Sequence, residues 1–235
     1  MADAPALTVY PLEGIGEISK GDDLTAIIGD AYERIGGPEP GDVLVVTHKV
    51  VSKAEGAVRE VPEGTSHRAI IEDEASQIIR RRCDLVITRT HHGFICANAG
   101  VDQSNASPNT VVLLPRDPDA SAHRILTKLE IRFGIHIPVI ISDTFGRAWR
   151  RGLTDVAIGL SGMQAIEDLR GTTDSFGMVL EVTEIAVVDE LAAAADLVMG
   201  KATGIPAAVI RGYTYPEGSA RATDLIRPDD EDMFR

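Results

Sequence analysis

Apolar positions along the chain come in short runs that alternate between strand-like and helix-like spacing. Leu7 to Leu12 reads as a strand. After the loop Glu13-Gly14-Ile15-Gly16, the residues Leu24, Ile27, Ile28, Ala31 and Ile35 keep helical period, with Asp22 placed to cap the helix and Gly36 to end it. Val43 to Val46 is β-branched and bounded by polar residues, which predicts a short buried strand followed by a polar loop running from Thr47-His48-Lys49 to Gly56. A helix is expected from about Ser66 to Arg81, with Ile70, Ile71, Ile78 and Ile79 inward. Leu85 to Thr88 and Phe94 to Ala97 then flank His91-His92-Gly93, the pattern of a hairpin.

The second half repeats the alternation. Val111 to Leu114 predicts a strand, Ala122, Ile125, Leu126 and Leu129 the inner face of a helix, and Ile137 to Ile141 another strand. Asp155 to Gly162 is small and apolar, suited to close packing. Val182 to Met199, stopped by Gly200, is the longest helical candidate, and Ala207 to Ile210 a last strand. No repeat, low-complexity tract or long linker marks a domain boundary, so residues 1–235 are taken as one domain.

Composition narrows the class. With 235 residues and 44% hydrophobic content the chain can bury a full core. Its 36 acidic against 23 basic side chains, net charge -13, argue against a nucleic-acid or anionic-membrane binder, which normally carries a basic face. Cys83 and Cys96 follow no CxxC spacing and fit reduced thiols; with no signal peptide or membrane-length apolar stretch, the expectation is a cytoplasmic protein.

Against that acidic background, Ser142-Asp143-Thr144-Phe145-Gly146-Arg147-Ala148-Trp149-Arg150-Arg151 stands out. Asp143 and Thr144 leave a strand as hard oxygen donors, which suit Mg²⁺ or Mn²⁺ better than zinc. Arg147, Arg150 and Arg151 have the i, i+3, i+4 spacing that would align them on one face of a helical turn, able to grip a phosphate or carboxylate. The same residues also describe an ordinary surface turn, with Asp143 as a helix cap and the arginines solvated. A second strand exit carries Asp102 and Asn105, where Asx residues usually bond their own backbone. Two carboxylates leaving neighbouring strands would bridge divalent cations bound to a triphosphate. Lys53, in a turn, is a phosphate-binding candidate, though the residues alone describe an exposed turn lysine better. Neither GxxxxGK[ST] nor GxGxxG occurs in a strand-turn-helix setting, so a nucleotide site would be neither P-loop nor Rossmann.

Val51 to Gly56, Asn98 to Asn105, Ser142 to Arg147 with Arg150-Arg151-Gly152, Asp155 to Gly159, and Gly204 to Gly212 occur in the order found in the coenzyme F420-0:L-glutamate ligase (gamma-glutamyl ligase) family, which the chain resembles over nearly its whole length. It is also similar to the amino-terminal ligase half of the two-domain actinobacterial version, without the flavin-binding second half. The resemblance implies a mixed α+β fold of two interleaved lobes, and a homodimer with its active groove at the interface. It implies GTP-dependent addition of L-glutamate to a deazaflavin precursor through an acyl phosphate. By motif, Asp102, Asp143 and Thr144 would ligate two Mg²⁺ or Mn²⁺ ions per subunit. Lys53 and Asn105 would contact GTP, with further nucleotide or metal contacts from Leu12, Glu13, Gly14 and Ile15, from Thr47 and His48, and from Lys201, Ala202, Thr203 and Gly204. A potassium requirement belongs to the same implication. The alternatives from other classes are a metal-dependent GTP phosphohydrolase and a non-catalytic nucleotide- or deazaflavin-binding module.

Overall fold

Strands whose residues are buried on both faces set the frame, as expected for β-branched runs covered by helices on either side. The computed structural model describes residues 6–62, 66–104, 106 and 108–233. The chain begins with β1 (Thr8–Pro11), α1 (Leu24–Arg34), β2 (Val43–Thr47), α2 (His48–Glu55) and β3 (Val58–Glu60). It continues through α3 (Arg68–Glu74), β4 (Ala75–Arg82), β5 (Leu85–Thr90), β6 (Ile95–Ala97) and β7 (Thr110–Val112). The second half holds α4 (Pro118–Phe133), β8 (Val139–Arg147), β9 (Arg150–Ser161), β10 (Glu167–Asp168), β11 (Glu184–Ile185), α5 (Val187–Met199) and β12 (Ala207–Arg211).

The main sheet has the order β1-β12-β2-β8-β9, antiparallel except for the parallel pair β2 and β8. Helix α5 touches every strand of it, while α4 packs on β8 and β9 with α1 alongside. The main core forms between these layers, from Ile28, Tyr32, Leu44, Leu129, Ile140, Ile158, Leu160, Val188 and Ile210 among others. A second lobe holds the three-stranded sheet β4-β5-β6 and the pair β3-β7, with two small apolar clusters around Ile70 and Val111 and around Ile71 and Val86. The fold is thus α+β with mixed sheets. No helix among the described residues is long and apolar enough to cross a membrane, and Cys83 and Cys96 are both free thiols.

Several local expectations change. The helix expected over 66–81 ends at Glu74, and Ala75–Arg82 is a strand paired with β5; Ile78 is exposed rather than inward. The turn closing that hairpin is Cys83-Asp84, with Cys83 in the left-handed region at φ 51°, and it lacks the Asn-Gly or Asp-Gly signal of such turns. The expected loop after Thr47 is helix α2, ended by Gly56 at φ 78°. Asp23, rather than Asp22, caps α1, accepting from the Ala26 N–H; Asp22 accepts from Ser19 instead. The longest helix is α4, because 184–185 is drawn into pairing with β10 and α5 starts only at Val187. Arg147, Arg150 and Arg151 share no helical face: they sit at the exposed end of the β8-β9 hairpin.

Candidate active site

Strand pairing brings four chain segments to one edge of the main sheet. The parallel ladder of β2 and β8 sets Thr47 beside Ser142; β2 ends there and gives way to His48-Lys49, while β8 runs on to Arg147, so Asp143-Thr144 stay within the strand instead of leaving it as the sequence suggested, and the two pairs lie in the same place. Ligand sites form outside the carboxyl end of a strand such as β2. Antiparallel β12 enters there, with the Thr47 N–H donating to the Pro206 carbonyl at 2.9 Å, so the loop 201–206 arrives at that edge too. Strand β1 exits beside it, its next residue Leu12 donating to Ala207 O at 2.9 Å. The result is a cavity of about 420 Å³ whose walls include Ile15, Glu17, Thr47, Lys49, Lys53, Thr144, Asp155, Asp196 and Lys201.

Across the β8-β9 ladder Thr144 faces Asp155, and its hydroxyl donates to Asp155 Oδ1 at 2.5 Å while Ser142 donates to Oδ2 at 2.8 Å. Lys201 Nζ donates to the Thr144 hydroxyl oxygen, and Lys53 pairs with Glu17. Behind Thr144, His48 is fully buried, its Nε2 3.2 Å from Asp143 Oδ1 in an ion-pair approach rather than an aligned hydrogen bond. The Thr144 N–H donates to the same oxygen at 2.7 Å. Burial pushes the Asp143 carboxyl up, but the His48 imidazole, the Thr144 N–H and Lys49 outweigh it and hold the group below the usual carboxylate range. Lys49 Nζ lies 2.8 Å from Asp102 Oδ2, and Ser104 N–H donates to Oδ1 at 2.6 Å; together they overcome burial and lower that carboxyl as well. Asp196 moves the other way, raised by burial and then by the charge of Asp155.

The family follows from the sequence that builds this edge. Residues 14–212 match the profile of the F420-0:gamma-glutamyl ligase family. The chain belongs to that family. It is 41% identical to the coenzyme F420:L-glutamate ligase of Methanothermobacter thermautotrophicus, over 97% of this chain and 99% of the relative. It is 40% identical to the enzyme of that name from Methanopyrus kandleri over the full length of both, and 37% identical to that of Archaeoglobus fulgidus over 97% and 96%.

Of the residues a ligase of this family is expected to use, Ile15, Thr47, Lys53, Thr144, Lys201, Ala202 and Gly204 line the cavity. Asp143 and Asp102 stand behind the wall, reached through His48 and Lys49. Leu12 is fully buried just after β1, the Glu13 carbonyl accepts from Arg34 and Gly14 turns the chain at φ 74°; these three precede Ile15 without lining the cavity themselves. The Thr203 hydroxyl turns back to the Met199 carbonyl. Arg147, Arg150 and Arg151 lie off the cavity wall, Arg147 donating to the Arg151 carbonyl at 2.7 Å. Asn105 lies outside the described residues. His92 packs on Phe94 and approaches the Pro115 carbonyl, in keeping with a turn residue.

Sequence reasoning passed over Lys49, Glu17, Asp155 and Asp196. Asp155 had a usable signal, a carboxylate inside an otherwise apolar strand. Among the described residues no three His, Cys, Asp or Glu side chains gather to hold a metal. The donors of Asp102, Asp143 and Thr144 are nonetheless all hard oxygens, and both carboxyls are held ionised, which suits Mg²⁺ or Mn²⁺. In this arrangement Lys49 supplies positive charge to both carboxylates.

Proposed function

We propose that the chain is a GTP-dependent ligase that joins the amine of L-glutamate to the free carboxylate of the deazaflavin precursor F420-0, then adds further gamma-linked glutamates in coenzyme F420 biosynthesis. The observation that carries this reading is the convergence of Lys49, Lys53 and Lys201 on one cavity of a strongly acidic chain, beside Glu17, Asp155 and Asp196, cations set to meet a polyanion such as a triphosphate and carboxylates that would suit its counter-cations. The names of the archaeal relatives supply the reaction.

In this reading Lys53 and Lys201 neutralise the phosphates, while the segment 12–15, Thr47 and the loop 201–204 surround the nucleotide. Asp102, Asp143 and Thr144 hold the divalent cations, which when bound would offset charge on the phosphates. An oxygen of the acceptor carboxylate attacks the γ-phosphorus and GDP leaves. The glutamate amine then attacks the acyl carbon, a proton is lost, and phosphate departs with the acceptor's oxygen. Positioning and charge neutralisation supply most of the catalysis in such a transfer. Arg147, Arg150 and Arg151, exposed on strands continuous with Thr144 and Asp155, are assigned to the acidic acceptor. The enzyme is taken as a cytoplasmic homodimer, with potassium as an additional cofactor.

Labelling the F420-0 carboxylate with ¹⁸O tests the route. Released phosphate carrying one ¹⁸O for the first glutamate added supports the acyl phosphate; unlabelled phosphate accompanying that first amide formation rejects it. GTP cleavage without glutamyl product would reassign the chain as a phosphohydrolase.

A further inference from the structure

Lys49 is nearly buried, with 8% of its surface exposed, yet it lines the cavity and ends 2.8 Å from Asp102 Oδ2. Its stem therefore runs from the nucleotide side of the wall to the carboxylate behind it. Its charge also acts on Asp143, which lies within the neighbouring strand β8. The other two lysines of the cavity engage different groups, Lys53 with Glu17 and Lys201 with the Thr144 hydroxyl. An ammonium at hydrogen-bond distance from a hard-oxygen donor fills the place and supplies the charge that a divalent cation would bring. Two positive charges on one carboxylate oxygen repel each other, so each weakens the hold of the other.

We propose that Lys49 is a built-in competitor of the divalent cation: its ammonium occupies Asp102 in the metal-free chain and has to leave that carboxylate before the metal binds, turning into the cavity it already lines. This inference rests on the assignment of Asp102 as a metal ligand. It has two consequences. Lys49 keeps a partly buried carboxylate compensated while no metal is present, avoiding the cost of an unpaired charge. It also lowers metal affinity until a polyphosphate offers the displaced ammonium a new partner, so metal and nucleotide favour each other, and by equal factors in both directions.

Mn²⁺ binding to the full chain without nucleotide, followed by electron paramagnetic resonance of the free ion, tests this. Lys49→Met is expected to bind Mn²⁺ tighter than wild type by on the order of tenfold, the size of a coupling between contacting charges. Lys128→Met removes an equal charge from an exposed pair with Asp23 and is expected to leave the affinity unchanged. In an Asp102→Asn background the gain from Lys49→Met is expected to vanish. Should Lys49→Met not fold, Lys49→Gln retains a donor opposite Asp102, drops the charge, and carries the same expectation. Equal or weaker Mn²⁺ binding by the Lys49 variants, with Asp102→Asn still lowering affinity, overturns the competitor role and leaves the metal ligand standing. Absence of Mn²⁺ binding to wild type and variants alike, with or without GTP, overturns both.

Discussion

Thr144 and Asp155 face each other across the β8-β9 ladder, and the threonine hydroxyl is committed to the aspartate carboxylate. Ser142 occupies the second oxygen of Asp155, so one buried carboxylate fixes two hydroxyl protons. With its proton so directed, Thr144 offers its lone pairs to cations, and Lys201 takes that position here.

Replacing Asp155 with asparagine exchanges one acceptor for a donor and leaves one of the two hydroxyls unpaired. A stability loss of about 1–3 kcal/mol is expected, measured by urea unfolding. Turnover by the folded variant is expected to fall by at least about tenfold, the effect of misplacing a group at the reacting edge. Wild-type turnover would show that the orientation of Thr144 does not matter.

Burial, aided by the charge of Asp143, pushes the Cys96 thiol up to about 12. At pH 8, iodoacetamide is therefore expected to label exposed Cys83 in the folded chain and to spare Cys96, which becomes reactive in urea. The sign for stability follows. An acid whose folded pKa is raised contributes no loss below its unfolded value of about 8.5, and it destabilises progressively as pH rises from there towards 12. Equal labelling of both thiols in the native chain would contradict the burial.

Arg211, on β12, grips the fully buried Asp42 through Nε at 2.7 Å and a second nitrogen at 2.8 Å, while Tyr32 donates to the same carboxylate at 2.9 Å. Arg211→Met leaves that charge without its cation. A loss of about 3–5 kcal/mol is expected in denaturant unfolding, with Asp42→Asn in the same chain recovering part of it.

Gly159 lies where β9 meets the first turn of α4, and a Cβ there would fall 2.6 Å from the Pro118 carbonyl carbon and oxygen. Backbone cannot swing aside as a side-chain tip can. Gly159→Ala is expected to cost at least about 1–3 kcal/mol, read from the shift in unfolding midpoint; an unchanged midpoint would show that α4 can move off the sheet.

What the sequence made legible follows from what is local. The β-branched runs at Val43, Val139 and Ala207 and the period of α1 and α4 are local signals, and Asp143-Thr144 stands out as polar residues following an apolar run, although the strand continues through them. Lys49 stayed hidden because its helix, α2, opens with polar residues that read as a loop. Asp155 stayed hidden because its partners Ser142 and Thr144 come from another strand, through a pairing no local pattern declares. Strand β4 failed for a related reason. Its Ile78-Ile79 and arginines suit a helix equally well, and only the pairing with β5 decides between the two.

The ligase assignment is tested most directly by mass spectrometry of the purified chain incubated with GTP, Mn²⁺, L-glutamate and F420-0, beside an Asp143→Asn variant. Products heavier by whole glutamyl residues are expected with the wild type, dependent on GTP, and are expected to be lost in the variant. Full activity of Asp143→Asn would contradict the site, and GTP consumption without any glutamyl product would contradict the function.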